Sequence, residues 1–218
     1  HIRARTGQLQ RLLSRMLLLT VTFSLLGGGM FTLYARPLGQ LLYGSGEVGL
    51  YLTVLGPLTP LMYLESMVDG ALKGVGQQMA TFRYSLQDSV LRILLILLAL
   101  PRLGIGGFLG VMAFSNAFTC LMNLRRLLQV AGMRFQPFAW VLRPAASLAP
   151  ALWLAWQISG LLPAWGLIAQ IGAGGAAGAL LYLALMWPGA LRPALYGMRE
   201  GRKKEPASIS VTKSGKNS

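Results

Sequence analysis

The sequence predicts an all-α, polytopic membrane protein with six transmembrane helices, and three observations carry this. Of 218 residues, 54% are hydrophobic and only 12% are charged, about half the charged share of a soluble domain. The mean hydropathy is +0.55, and the apolar residues fall into six segments near the ~20 residues that cross hydrocarbon. The charge is sorted as well: 20 Lys and Arg against 6 Asp and Glu give +14, and the basic residues gather at alternate ends of the segments.

Residues 1–15 read as a cytoplasmic, amphipathic lead-in whose second half, residues 8–15, extends the first span inward. That span covers residues 16–35; its Gly27-Gly28-Gly29 suits close packing or a bend. The second covers residues 48–73, with Pro57 and Pro60 expected to kink or break it. The third, residues 84–100, is ended by Pro101, and Gly104-Ile105-Gly106-Gly107 reads as a tight outer turn. The fourth covers residues 106–128. The fifth covers residues 138–159 and holds Pro144 and Pro150; the sixth covers residues 164–187, with a small-residue face at 172–179 that suits close packing. The six spans make one transmembrane domain, residues 16–190. Residues 191–218 form a basic tail, polar and Ser-rich from Arg199, which predicts a disordered cytoplasmic end.

Basic residues orient the spans. With the N-terminus cytoplasmic, the inner segments hold Arg3, Arg5, Arg11 and Arg15, then Lys73 and Arg83, then Arg125, Arg126, Arg134 and Arg143, then the basic tail. The outer loops hold only Arg36 and Arg102. An even number of spans with both termini inside is expected, because an odd number would spoil the sorting. The same distribution assigns the positive charge to topology and to contact with membrane lipids, so no nucleic-acid partner is expected. One Cys and one His allow neither a disulfide framework nor a metal set. No HExxH, Walker loop or GxSxG is present, so neither enzyme activity nor a cofactor is expected. No cleavable signal peptide is evident, and the His1 start suggests a piece of a longer protein.

The candidate functional residues are the polar groups inside the spans. Glu65, Asp69 and Lys73 are spaced four and four on one face of span two. Charges at membrane depth are expensive and line bundle interiors, cavities or cargo routes. Lys73 falls at the inner edge, where an ion pair with Asp69 competes with a transport role. Glu65 lies deeper, without a local cation; such a carboxylate either holds a proton or meets a base on another helix, which makes it a candidate for coupling or cargo contact. Asp88 and Arg92, four apart on span three, suit an intrahelical ion pair that packs against Lys73 and Asp69. On span four, Asn116, Cys120 and Asn123 share a face beside Ser115 and Thr119, fit for interhelical hydrogen bonds or for lining a cavity.

The order LLYGSGEVGLYL (41–52), ALKGVGQQ (71–78), LLALPRLGIGGF (97–108) and MNLRRLL (122–128) resembles the C-terminal half of polysaccharide exporters and flippases. These belong to the multidrug/oligosaccharidyl-lipid/polysaccharide superfamily, which includes MATE drug exporters. The likeness covers residues 16–128 and is closest to the stage V sporulation protein B family, which is similar to lipid II flippases. It implies two pseudo-symmetric six-helix lobes that rock by alternating access, with this chain as four helices of the second lobe plus two C-terminal ones. The first lobe would be a missing N-terminal part of the same protein. The implied cargo is an undecaprenyl-linked saccharide, such as a peptidoglycan precursor, in the bacterial cytoplasmic membrane. In that family the basic residues that grip the diphosphate lie in the first lobe, whereas the charges here are mixed and the deepest acidic. That leaves coupling or gating to Glu65 and Asp69. The alternatives are a cation-coupled MATE-type drug exporter and a non-transporting scaffold for envelope synthesis.

Overall fold

A computed structural model describes residues 2–133, 136, 138–161 and 166–188, with side chains from residue 7 onward. The expected tail at 191–218 lies outside the described residues, as does Arg134. Among the described residues all regular structure is helical: α1 (Ile2–Leu33), α2 (Ala35–Tyr43), α3 (Gly46–Gly74), α4 (Gln78–Ala131), α5 (Arg143–Leu161) and α6 (Leu167–Met186). A π-helical turn, Phe138–Leu142, precedes α5, just ahead of Pro144, which has no N–H to continue an ordinary turn. Five helices are long and apolar enough to cross a membrane: Gly7–Leu33, Gly46–Gly74, Gln78–Ala131, Phe138–Leu161 and Leu167–Met186. Their outer surfaces are greasy. Leu97 and Leu98 are 66% and 64% exposed and Ile168 71%, as suits faces whose solvent is lipid.

The 54 residues of α4 are not one rod. Gly104 has φ 56° and ψ −142°, far from helical values, a left-handed conformation that glycine adopts freely. The two limbs fold back on each other there, so that Gly107 backs onto Ala99 and Leu103 and Ser115 reaches Asp88. Along a straight helix those last two residues would be roughly 40 Å apart.

Two features differ from the sequence expectation. Residues 36–43, expected in an outer loop, form α2, a short helix that turns back through the left-handed Gly44 (φ 63°) onto α3. Pro37 is tolerated because it sits in the first turn, where N–H groups have no helical acceptor. And α3 runs unbroken through Pro57 and Pro60. Two hydroxyls also bond back to the helix in this stretch, Thr53 to Gly49 O and Thr59 to Leu55 O. The carbonyl of Gly56, which Pro60 leaves without its usual donor, faces Gly28 of α1, where a methyl would lie 2.5 Å from it. A glycine hydrogen therefore points at that oxygen, a weak C–H···O contact, and the Gly-rich stretch of span one is explained as a close helix crossing.

The small residues of α6 do the same against α5. A methyl on Gly178 would lie 2.8 Å from both Ala151 O and Ala155 Cβ, and Gly174 backs onto Ala155 O. At the end of the bundle nearest the start of α1, Leu13 and Leu17 of α1, Val68 and Leu72 of α3, Leu124 and Leu127 of α4 and Trp140 form the main core. A smaller core joins Ala151, Tyr182 and Met186. α1 and α3 thus form the central pair, with α4 on one side and α5–α6 on the other.

Candidate functional site: a polar seam between α3 and the limbs of α4

The turn Val75–Gln77 joins the end of α3 to the start of α4, where Val75 N donates to Ala71 O and Gln77 N to Leu72 O. The two helices then run antiparallel, so residues equally far from the turn share a depth. Lys73 and Asp69 lie close to it and form an ion pair of 2.6 Å, with side chains 56% and 27% exposed. Wet or interfacial, such an i,i+4 pair is worth a few tenths of a kcal/mol. It neutralises itself and calls for no ligand.

Deeper in, Asp88 and Arg92 pair at 2.7 Å, with side-chain exposures of 9% and 34%. Ser115, fully buried on the second limb, completes a triangle: Arg92 Nε donates to Ser115 Oγ at 2.9 Å, and the Ser115 hydroxyl donates to Asp88 Oδ1. Both Asp88 oxygens are engaged. Across the helix interface, half-buried Glu65 lies near enough to feel the charges of Asp88, Arg92 and Asp69. No hydrogen bond or ion pair reaches it among the described residues. The expected packing of Asp88 and Arg92 against Lys73 and Asp69 is therefore moved about one turn deeper, to Glu65.

The second limb contributes a polar face. Ser115, Asn116, Thr119, Cys120 and Asn123 are all buried, and Cys120 lies close enough to Glu65 to sense its charge. Thr119 Oγ1 and Asn123 Oδ1 have no hydrogen-bond partner. Buried polar atoms of this kind are completed by water, an ion or another polar group. The face ends at Arg126, whose Nη2 and Nε donate to Gln77 Oε1 at 2.8 and 3.3 Å. From Ser115 to Arg126 the seam is roughly 16 Å long.

The structure thus brings Glu65, Asp88, Arg92, Asn116 and Asn123 into one region and leaves Asp69 and Lys73 at its inner margin. Gln77 and Arg126 were not singled out as site residues, although both sit in the quoted segments ALKGVGQQ and MNLRRLL. Their signal was a polar residue in the turn facing a basic residue at the end of an apolar run. The deep charges, Glu65, Asp88 and Arg92, sum to −1. Such a set suits a proton, a small cation or a hydrogen-bond donor better than it suits a diphosphate. Among the described residues no group of three or more His, Cys, Asp and Glu could hold a metal ion. Comparisons with protein-family models, curated proteins and solved structures returned no match for this chain.

Proposed function

We propose that this chain is a transport lobe of a lipid-linked oligosaccharide flippase, which moves a polyprenyl-linked saccharide such as a peptidoglycan precursor across the bacterial cytoplasmic membrane by alternating access. One observation carries the reading: a polar seam, Glu65 with Asp88, Arg92 and Ser115 and the unpartnered Thr119 and Asn123, lies inside helices whose other faces are apolar and exposed. Ionisable groups at that depth face a bundle interior or a water-filled cavity and mark ion or substrate routes. In this reading the limbs of α4 cross separately, which makes six crossings with both termini cytoplasmic. Support comes from the fold-back at Gly104 and from an outer side that holds only Arg36 and Arg102. The opposite cavity wall, and the grip on the cargo's diphosphate, belong to a second lobe.

Coupling or gating falls to Glu65, the deep carboxylate without a direct partner. In proteoliposomes carrying the full-length protein, Glu65→Gln slows flipping of a fluorescent lipid-linked saccharide at least tenfold while expression and folding hold. Unchanged flipping removes the role. A second reading, cation-coupled drug export, is favoured by the net negative charge of the deep set. It predicts sodium- or proton-dependent efflux of organic cations, with the saccharide lipid left unmoved.

A further inference from the structure

Beyond the Arg126 end of the seam, the first turns of α1 and residues after the end of α4 enclose a cleft of about 390 Å³ lined by Gln10, Arg11, Ser14, Arg15, Gln136 and Trp140 among others. We infer that this cleft binds the phosphate headgroup of an anionic membrane lipid in the leaflet that the N-terminal end of α1 reaches. Arg11 and Arg15 lie one helical turn apart on the same face, and no acidic residue lines the cleft or pairs with either arginine among the described residues. Arg11 Nε is held by Gly7 O at 3.2 Å, which fixes the guanidinium and leaves its terminal nitrogens to a ligand. Two such forks match the oxygens of a phosphodiester.

The end of α4 would ordinarily oppose an anion, because a helix C-terminus presents unpaired carbonyls and a negative dipole end. Here the Gln10 amide donates to Ala131 O at 2.8 Å and to Gly132 O at 3.1 Å, so those oxygens are engaged. The depth is right for a headgroup: Arg15 immediately precedes the apolar run that begins at residue 16. Beside the cleft, Leu12, Met16, Phe138 and Leu142 are 48%, 42%, 70% and 57% exposed, an apolar border for acyl chains. That border favours a lipid over a free phosphate ion.

The test is native mass spectrometry of the full chain released from nanodiscs that mix phosphatidylglycerol and phosphatidylcholine equally. The wild type retains phosphatidylglycerol in preference. Arg11→Gln with Arg15→Gln weakens that retention about thirtyfold, the worth of two interfacial basic residues, and Arg11→Lys with Arg15→Lys falls between. Arg83→Gln with Arg125→Gln, which removes the same charge elsewhere, changes it less than twofold. Millimolar inorganic phosphate leaves the lipid bound. Equal retention of the two lipids by the wild type overturns the inference without recourse to any variant. So does an equal loss in the Arg83/Arg125 control, or displacement by phosphate, which would make the cleft a free-anion site.

Discussion

Replacing Arg92 by Leu isolates the energetics of the seam. The variant removes the cation 2.7 Å from Asp88 and the donor to Ser115, and leaves the Asp88 carboxylate with the Ser115 hydroxyl alone. Stripping one partner from a buried pair costs ~3–5 kcal/mol. Asp88 is 9% exposed but Arg92 is 34% exposed, so part of the pair is already screened and the lower end, about 3 kcal/mol, is expected. Arg92→Leu with Asp88→Leu removes both charges and should cost only about 1 kcal/mol, since apolar replacement of a buried pair is often near neutral. The double variant is then about 2 kcal/mol more stable than the single one. Reversible unfolding in mixed micelles, followed by circular dichroism, compares the wild type with both variants. The reasoning fails if Arg92→Leu costs less than about 1 kcal/mol, or if the double variant is no more stable than the single.

Two further outcomes test the packing and the path of α4. Gly56→Ala places a methyl against the backbone of α1, 2.9 Å from Gly28 O and Thr32 N; this should lower unfolding stability by about 1–3 kcal/mol, whereas Gly70→Ala, on the same helix with nothing within 4 Å, should be neutral or raise it by up to about 1 kcal/mol. In a Cys120→Ala background, Leu103→Cys should react with an impermeant maleimide from one side of the membrane and Val75→Cys only from the other, cytoplasmic on the proposed topology; labelling of both from one side would show that the first limb of α4 does not cross the membrane.

Much of this was legible in the sequence because bilayer physics is coarse. A run of about 20 apolar residues has few alternatives to a helix when every backbone group must be satisfied internally, so the long apolar segments and the turn at Gly104 could be placed. What escaped depended on length or on register. α2 is only nine residues, too short for an argument built on spanning length, and its Leu38, Leu41 and Leu42 did not register as a helical face. The path of α3 through its second proline is packed against a neighbouring glycine of α1, and no local rule supplies a neighbour. The position of the deep charges was nearer to hand. Glu65 is 11 residues before Gly76 and Asp88 is 12 after it, so an antiparallel hairpin with 1.5 Å per residue puts them at one depth. Lys73, three residues from that glycine, could never have reached so far.

The other limb shows where such counting stops. Asp88 is 16 residues before Gly104 and Ser115 is 11 after it, yet they touch. The limbs are therefore offset by about five residues, an offset set by their crossing angle and not by any local pattern. This geometry also separates the carboxylates by what their replacement can teach. Asp69 and Asp88 each hold a cation on their own helix, so replacing either one disturbs folding and function together. Glu65 holds none, shares its depth with Asp88 and lies beside the unbonded face of the second limb. A Gln there removes charge while keeping shape, and it breaks no ion pair. If transport depends on charge in the seam, Glu65→Gln is the substitution that reports on it with the least structural damage.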